Sequence, residues 1–271
     1  MADENPYVEL TAAFNQGRLR AILSSGQAVV MHRLAVMSKD GAWILREDAE
    51  VMQHVLDVLG ERGARYRLGA PLDCRWLAGG WSAHLEHRRG PLRLRTDFVT
   101  RPPRLSEGEL ARVWNDAATT DPPVLGLEPL AKLKKTNREK DYAVIGELAR
   151  QMPEARSQLL FSRSARDLLR LAQVHRDLVE ELAGQRPLLL RVADGRDALE
   201  EALDAERRAL IRANEKRLLA YREAMQAWTA VWPEVAAQAA ALPLAEAHAI
   251  VVERAEGVLP WAPPDENGGA P

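Results

Sequence analysis

Ser24-Ser25-Gly26 stands fourteen residues before Asp40. A small-residue turn at a helix start exposes backbone N–H groups that can hold a phosphate, helped by the helix dipole. A carboxylate at the edge of the next strand can hold a magnesium ion that bridges two phosphates. On residues alone, a phosphate cradle and a plain turn both stand. Asp97 sits on an alternating segment between Arg95 and Arg101. It reads either as a metal-binding carboxylate on a sheet surface or as one member of an ion pair. Further on, Lys132, Lys134, Lys135, Arg138, Glu139, Lys140 and Asp141 form a charge-rich segment. On a helix, Lys134, Arg138 and Asp141 share one side, and Lys135 pairs with Glu139. That side is either a cationic wall for a triphosphate or a solvated face. His84 and Glu86 share one face of a strand and His87 takes the other, which is too few ligands on one face for a metal. Cys74 has no base partner in the sequence pattern and reads as a strand residue. There is no Walker loop, Rossmann fingerprint or H-E-x-x-H helix.

These residues need elements to position them. The spacing of Leu10, Phe14, Leu19, Ile22 and Leu23 predicts a helix that breaks at Ser24. A helix over Gln27 to Leu34 follows, then a short strand over Ala42 to Leu45, entered through the Gly41 turn. Glu47 to Leu59 is amphipathic, with Val51, Val55, Leu56 and Leu59 on one face. Tyr66–Leu68, Asp73–Leu77 and Trp81–His87 are strand candidates, the last two joined through Gly79-Gly80. Arg88-Arg89-Gly90 makes another turn, and Leu92 to Val99 alternates cleanly until the prolines at 102 and 103 end it. Ser106 and Glu109 form a capping box for a helix to Ala118. Helices are then expected over Leu127–Met152, over Glu154–Leu182 as one or two pieces, and over Arg196–Trp232, with Pro233 and Pro243 dividing the last ones. The domain division expected is an α/β core over 1–105, a helical region over 106–259 (106–152 packing on the core, 153–259 an extension) and a disordered tail over 260–271.

The chain has 271 residues, 46% hydrophobic and 28% charged, with 37 Lys+Arg against 39 Asp+Glu. The formal net charge of -2 excludes a broadly basic nucleic-acid coat and a charge-driven membrane binder. A single cysteine excludes an intrachain disulfide and a cysteine-rich zinc site, and fits a cytoplasmic, reducing location. No apolar run approaches the roughly 18 residues of a membrane span, and the acidic, polar start does not read as a signal peptide.

In this order the pieces resemble the nucleotidyltransferase-fold superfamily, most closely its abortive-infection toxin type, over about residues 14–150. The small motif would be Ser24-Ser25-Gly26, the following helix Gln27 to Leu34, and Ser38-Lys39-Asp40-Gly41-Ala42 the place of the family's Asp-x-Asp pair. Asp97 would sit on the strand of the third acid. Lys134-Lys135-Thr136-Asn137-Arg138-Glu139-Lys140-Asp141 would be the family's Lys-rich helical segment. The resemblance implies an α+β fold, a mixed sheet with flanking helices followed by a mainly helical C-terminal region. It implies Mg2+-dependent transfer of a nucleoside monophosphate from a nucleoside triphosphate to an RNA or protein hydroxyl, in a toxin or defence setting. Asp40 and Asp97 would bind magnesium, Ser24, Ser25 and Gly26 the phosphates, and Lys134 and Arg138 the departing pyrophosphate. The sequence departs from the pattern at Ala42, where the second acid of the pair belongs. The alternative is therefore a catalytically degenerate member, a nucleotide-binding or protein-interaction module working through its helical half.

Overall fold

The computed structural model describes residues 5–263. The chain forms two compact units, Met1–Leu125 with Leu218–Pro271, and Gly126–Arg217. This division runs differently from the expected one. The helix after the sheet and the last helices belong with the sheet, and only the middle of the helical region stands as a separate unit.

The first unit contains α1 (Pro6–Phe14), β1 (Ala21–Ser24), α2 (Ser25–Met31), β2 (Asp40–Leu45), α3 (Ala49–Gly60), β3 (Arg65–Tyr66), α4 (Cys74–Leu77), β4 (Ala83–Arg89), β5 (Leu92–Val99) and α5 (Glu107–Ala117). The second unit contains α6 (Leu127–Leu133), α7 (Glu139–Gln151), α8 (Ala155–Phe161), α9 (Ala165–Val174), α10 (Arg176–Leu182) and a 3₁₀ helix over Pro187–Asp194. α11 (Arg196–Ala224) carries the boundary, and α12 (Gln226–Ala239) and α13 (Leu244–Glu256) return to the first unit. The fold is α+β: a mixed five-stranded sheet with flanking helices and a helical C-terminal region.

The strand order is β1-β2-β5-β4-β3, with β2 and β5 parallel and every other pair antiparallel. Outside β1, the segment around Val124 adds a short bridge, with Leu23 N–H donating to Pro123 O and Leu125 N–H to Leu23 O. One sheet face carries the core. Trp43 stacks on Phe98 with ring centroids 5.5 Å apart, and Phe14 of α1 meets both rings edge-on. Trp43, Trp76, Trp81 and Trp228 are fully buried, and each indole N–H finds an acceptor: Thr11 Oγ1, Leu259 O, Pro260 O and Gly69 O. This satisfies the donors that would otherwise make burying tryptophan costly.

Several sequence expectations need correction. Ile22 and Leu23 lie on β1, not on a helix. All four β1 residues are buried, so the strand shows no alternation, and its apolar run falls by chance into helical spacing. Asp73–Leu77 is not a strand. Asp73 caps α4 by accepting from Arg75 N–H at 2.9 Å, which places Cys74 at a helix start. Leu127–Met152 is two helices, broken over 134–138. Glu154–Leu182 is three helices, and Pro233 lies inside α12 instead of dividing helices. The tail expectation fails over 260–263, where Pro260 accepts from Trp81 and Trp261 packs on Trp76 at 4.7 Å between ring centroids. Residues 264–271 of that tail lie outside the described residues. The capping box at Ser106 and Glu109 is present, and β5 spans the alternating segment as expected.

Candidate active site

The sheet face opposite the tryptophan core carries the predicted acids. In an extended strand, side chains alternate, so Asp40, Ala42 and Ile44 share that face of β2, while Gly41, Trp43 and Leu45 face the core. Across the parallel β2–β5 pair, Asp40 lies opposite Arg95 and Ala42 opposite Asp97. Asp40 and Asp97 are therefore on neighbouring strands and one face, offset by two residues. Their backbones stand about 8 Å apart from strand spacing and rise. The acids that the sequence singled out are brought to one surface.

Their partners then pull them apart. Asp97 Oδ1 accepts from His84 Nδ1 at 2.6 Å, and Arg67 Nη1 lies 3.4 Å from the same oxygen. His84 is on β4, and Arg67 follows β3, so this oxygen turns to the side of β5 away from β2. Arg67 also approaches Glu86 at 3.7 Å, and Arg93 binds Glu86 at 2.6 Å. Asp40 has Arg95 at 3.8 Å, and its Oδ1 is buried with no hydrogen bond. This face is a lattice of neutralised acids, not a bare acidic cluster. Among the described residues, no group of three or more His, Cys, Asp or Glu is arranged to hold a metal ion. Two divalent ions need closely spaced carboxylates, and the position facing Asp97 is an alanine. The residues present do not fit a two-ion centre.

The small-residue turn has a visible local task. Ser24 is buried, and its Oγ donates to Ala42 O at 3.1 Å. Ser25 has φ +51°, a left-handed conformation uncommon for a residue with a side chain. A Cβ at Gly26 would come within 2.2 Å of Ser38 Oγ, so glycine here lets the Ser38–Asp40 segment lie close against the turn without displacing the Ser38 side chain. Gln27 Nε2 donates to Ser38 O at 2.8 Å and holds the same segment. The turn thus fixes where Asp40 enters β2. α2 is only seven residues long, and no side chain caps its start.

Beside Asp40 opens a cavity of about 620 Å³, lined among others by Tyr7, Val36, Met37, Lys39, Arg93 and Arg95. Val36 and Met37 are neighbours in the chain and both are exposed. Tyr7 donates its hydroxyl to Lys39 O at 2.7 Å. Burial, and next the negative charge of Asp40, push its phenol above the usual tyrosine range.

Lys134 and Arg138 belong to the second unit. They do not share a helix face, because the helix breaks between them: Lys134 closes α6 and Arg138 opens α7. Both turn to the buried Asp141, whose oxygens lie 3.4 Å from Lys134 Nζ and 2.8 Å from Arg138 Nη2, while Thr136 Oγ1 donates to it at 2.6 Å. Burial lowers the Lys134 ammonium below the usual lysine range, with Asp141 opposing. The expected Lys135–Glu139 pair is replaced by Lys135 over the Phe161 ring, 5.2 Å from its centroid.

The role of His84 as the partner of Asp97 does not show in the spacing along its own strand. The signal was available. The turn at Gly90-Pro91 pairs Arg89 with Leu92, and counting back along the hairpin puts His84 opposite Asp97.

No protein-family model and no curated protein sequence matches the chain. Among solved structures, a crystal structure described as a "putative nucleotidyltransferase from H. pylori" is similar at 12% identity and a TM-score of 0.35, over 80% of this chain and 98% of that one. Likeness of that degree leaves the function to be argued from this chain's own residues.

Proposed function

We propose that this chain is a catalytically degenerate nucleotidyltransferase-like protein that binds a nucleoside triphosphate without transferring it. The observation that carries this reading is the register of β2 and β5. The residue opposite Asp97 is Ala42, and Asp97 Oδ1 is committed to His84 and Arg67. Nucleotidyl transfer through two divalent ions needs carboxylates that share those ions, and this face offers Asp40 and Asp97 turned to different partners. Binding remains chemically reasonable. The cavity beside Asp40 has apolar walls in Val36 and Met37 for a base, and cations in Lys39, Arg93 and Arg95 for phosphates.

The test is calorimetric titration of the four nucleoside triphosphates, with and without magnesium, alongside an assay for label transfer from an α-labelled triphosphate. The expected result is binding of the same strength with and without magnesium, weakened at least ~10-fold in Arg95→Gln because one charge-assisted contact is lost, and no label transfer to protein or RNA. Magnesium-dependent binding that vanishes in Asp40→Asn, together with label transfer, would instead establish a magnesium-dependent nucleotidyltransferase. Absence of binding to all four would move the search to protein partners of the helical half.

A further inference from the structure

We propose a second chemistry at this face: His84, oriented by Asp97, takes the proton of Ser82 and makes its hydroxyl a nucleophile toward carboxylic esters. Ser82 Oγ lies 3.0 Å from His84 Nε2, and His84 Nδ1 lies 2.6 Å from Asp97 Oδ1. The two ring nitrogens therefore have different partners, a hydroxyl on one side and a carboxylate on the other. That is the arrangement an activated serine requires.

Hydrogen-bond chemistry fixes the direction of the chain. An ionised carboxylate only accepts, so Nδ1 must carry the ring proton. The neutral ring then leaves Nε2 as an acceptor, and Ser82 must donate to it. Tyr221 O–H, 3.2 Å from Ser82 Oγ, is left to donate to that oxygen. The backbone holds this geometry. His84 and Asp97 are direct cross-strand partners on β4 and β5, and Ser82 stands two residues before His84 on the same side. Gly69 packs against the imidazole; a Cβ there would lie 2.5 Å from His84 Cδ2. Ser82 and His84 are only partly buried.

The step balances as follows. Ser82 Oγ attacks the ester carbonyl carbon as its proton moves to His84 Nε2. The carbon–oxygen bond to the alcohol breaks, and Nε2 returns the proton to the departing alkoxide. Water then attacks the acyl-serine, giving up its proton through Nε2, and releases the carboxylic acid and free Ser82. His84 and Ser82 are the catalytic residues, and Asp97 is a positioning residue acting through the imidazole.

The experiment treats the full chain with a fluorophosphonate. The Ser82 oxygen displaces fluoride from its phosphorus, and peptide mass mapping locates the adduct. The expected result is one adduct, on Ser82, absent in Ser82→Ala. Labelling slows at least ~100-fold in His84→Gln, as loss of a general base does. Asp97→Asn slows it by roughly 10²–10⁴-fold through the wrong tautomer. The profile of labelling rate against pH changes shape in His84→Gln, which a merely structural histidine would not cause. Circular dichroism shows that each variant remains folded. No adduct on Ser82 in the folded chain, or labelling at an unchanged rate in His84→Gln, overturns the proposal. Neither outcome bears on triphosphate binding, which is read by calorimetry alone.

Discussion

A buried charge matters most where its partners are outnumbered. In the second unit, Lys135, Arg163 and Arg186 surround one carboxylate, Glu206. Arg186 makes four bonds, to Leu159 O, Ser162 O and both oxygens of Glu206. Arg163 also pairs with Glu206, yet its Nε is buried and unbonded. Lys135 lies over the Phe161 ring, with the charge of Glu206 opposing the effect of its burial. Burial, then the charge of Arg163, pushes its ammonium down to about 8. The lysine is held in spite of its charge, so removing the charge while keeping the stem should help. Lys135→Met is expected to raise stability at pH 7 by about 1 kcal/mol, measured by urea unfolding. The sign of the pH effect follows from linkage. Between about 8 and the usual lysine value the unfolded chain binds more protons, so the wild type gains stability as pH rises through that window. Lys135→Met should lose that gain. An equal or larger loss of stability at pH 7 would mean that the ring–cation contact outweighs the desolvation.

At the scale of elements, the break between α6 and α7 shows what a local pattern cannot say. Lys134, Arg138 and Asp141 do come together, as their helical spacing suggested, but through a broken helix gathered on the buried carboxylate. Thr136 is the residue that decides it. Its hydroxyl bonds Asp141, and its carbonyl accepts from Tyr142 Oη at 2.9 Å, which a continuous helix would forbid. Asp141→Ala should therefore cost about 3–5 kcal/mol, because it leaves the Lys134 ammonium buried without its counter-charge. Asp141→Ala with Lys134→Met should recover a large part of that loss, and a double variant as unstable as the single one would show that Thr136 and Arg138 carry the bond energy. Elements with their own period were legible in the sequence: β5 by alternation, α3 by its apolar face, α5 by its capping box. β1 was not, because a strand buried along its whole length shows no alternation. α4 was not, because one turn of helix is too short to have a period. At the site, Asp40 and Asp97 were legible as acids that share a surface. The commitment of Asp97 to His84 was not drawn from the sequence, since it depends on hairpin register and not on spacing along one strand.

The whole molecule should sense acid through two histidines in its first unit. His248 of α13 accepts from or donates to Tyr66 Oη at 2.8 Å, and stacks on that ring with centroids 6.0 Å apart. Tyr66 Oη in turn accepts from Leu72 N–H at 3.0 Å, which leaves the phenol proton available to His248 Nδ1. Burial lowers the His248 value below that of a free imidazole, with Asp73 opposing. His87 on β4 is buried too, with its Nδ1 unbonded, and burial and the charge of Arg62 lower it likewise. Both groups take up protons more readily when unfolded. Their stabilising contribution is complete above about pH 6.5, the free imidazole value, and is lost as pH falls toward the folded-state values. Exposed pairs such as Arg18–Asp48 add little to this balance, since solvent screens them. The unfolding midpoint of the full chain should therefore fall between pH 6.5 and 5, before the carboxylates titrate. His248→Gln keeps an acceptor near Tyr66 but cannot take a proton, so it should flatten part of that slope while lowering the midpoint at pH 7 by the lost packing. His87→Leu removes the second titrating group and the unbonded ring nitrogen together, and should raise the midpoint at pH 5 more than at pH 7.5. A slope between pH 6.5 and 5 that neither substitution changes would assign the acid sensitivity to groups other than these histidines.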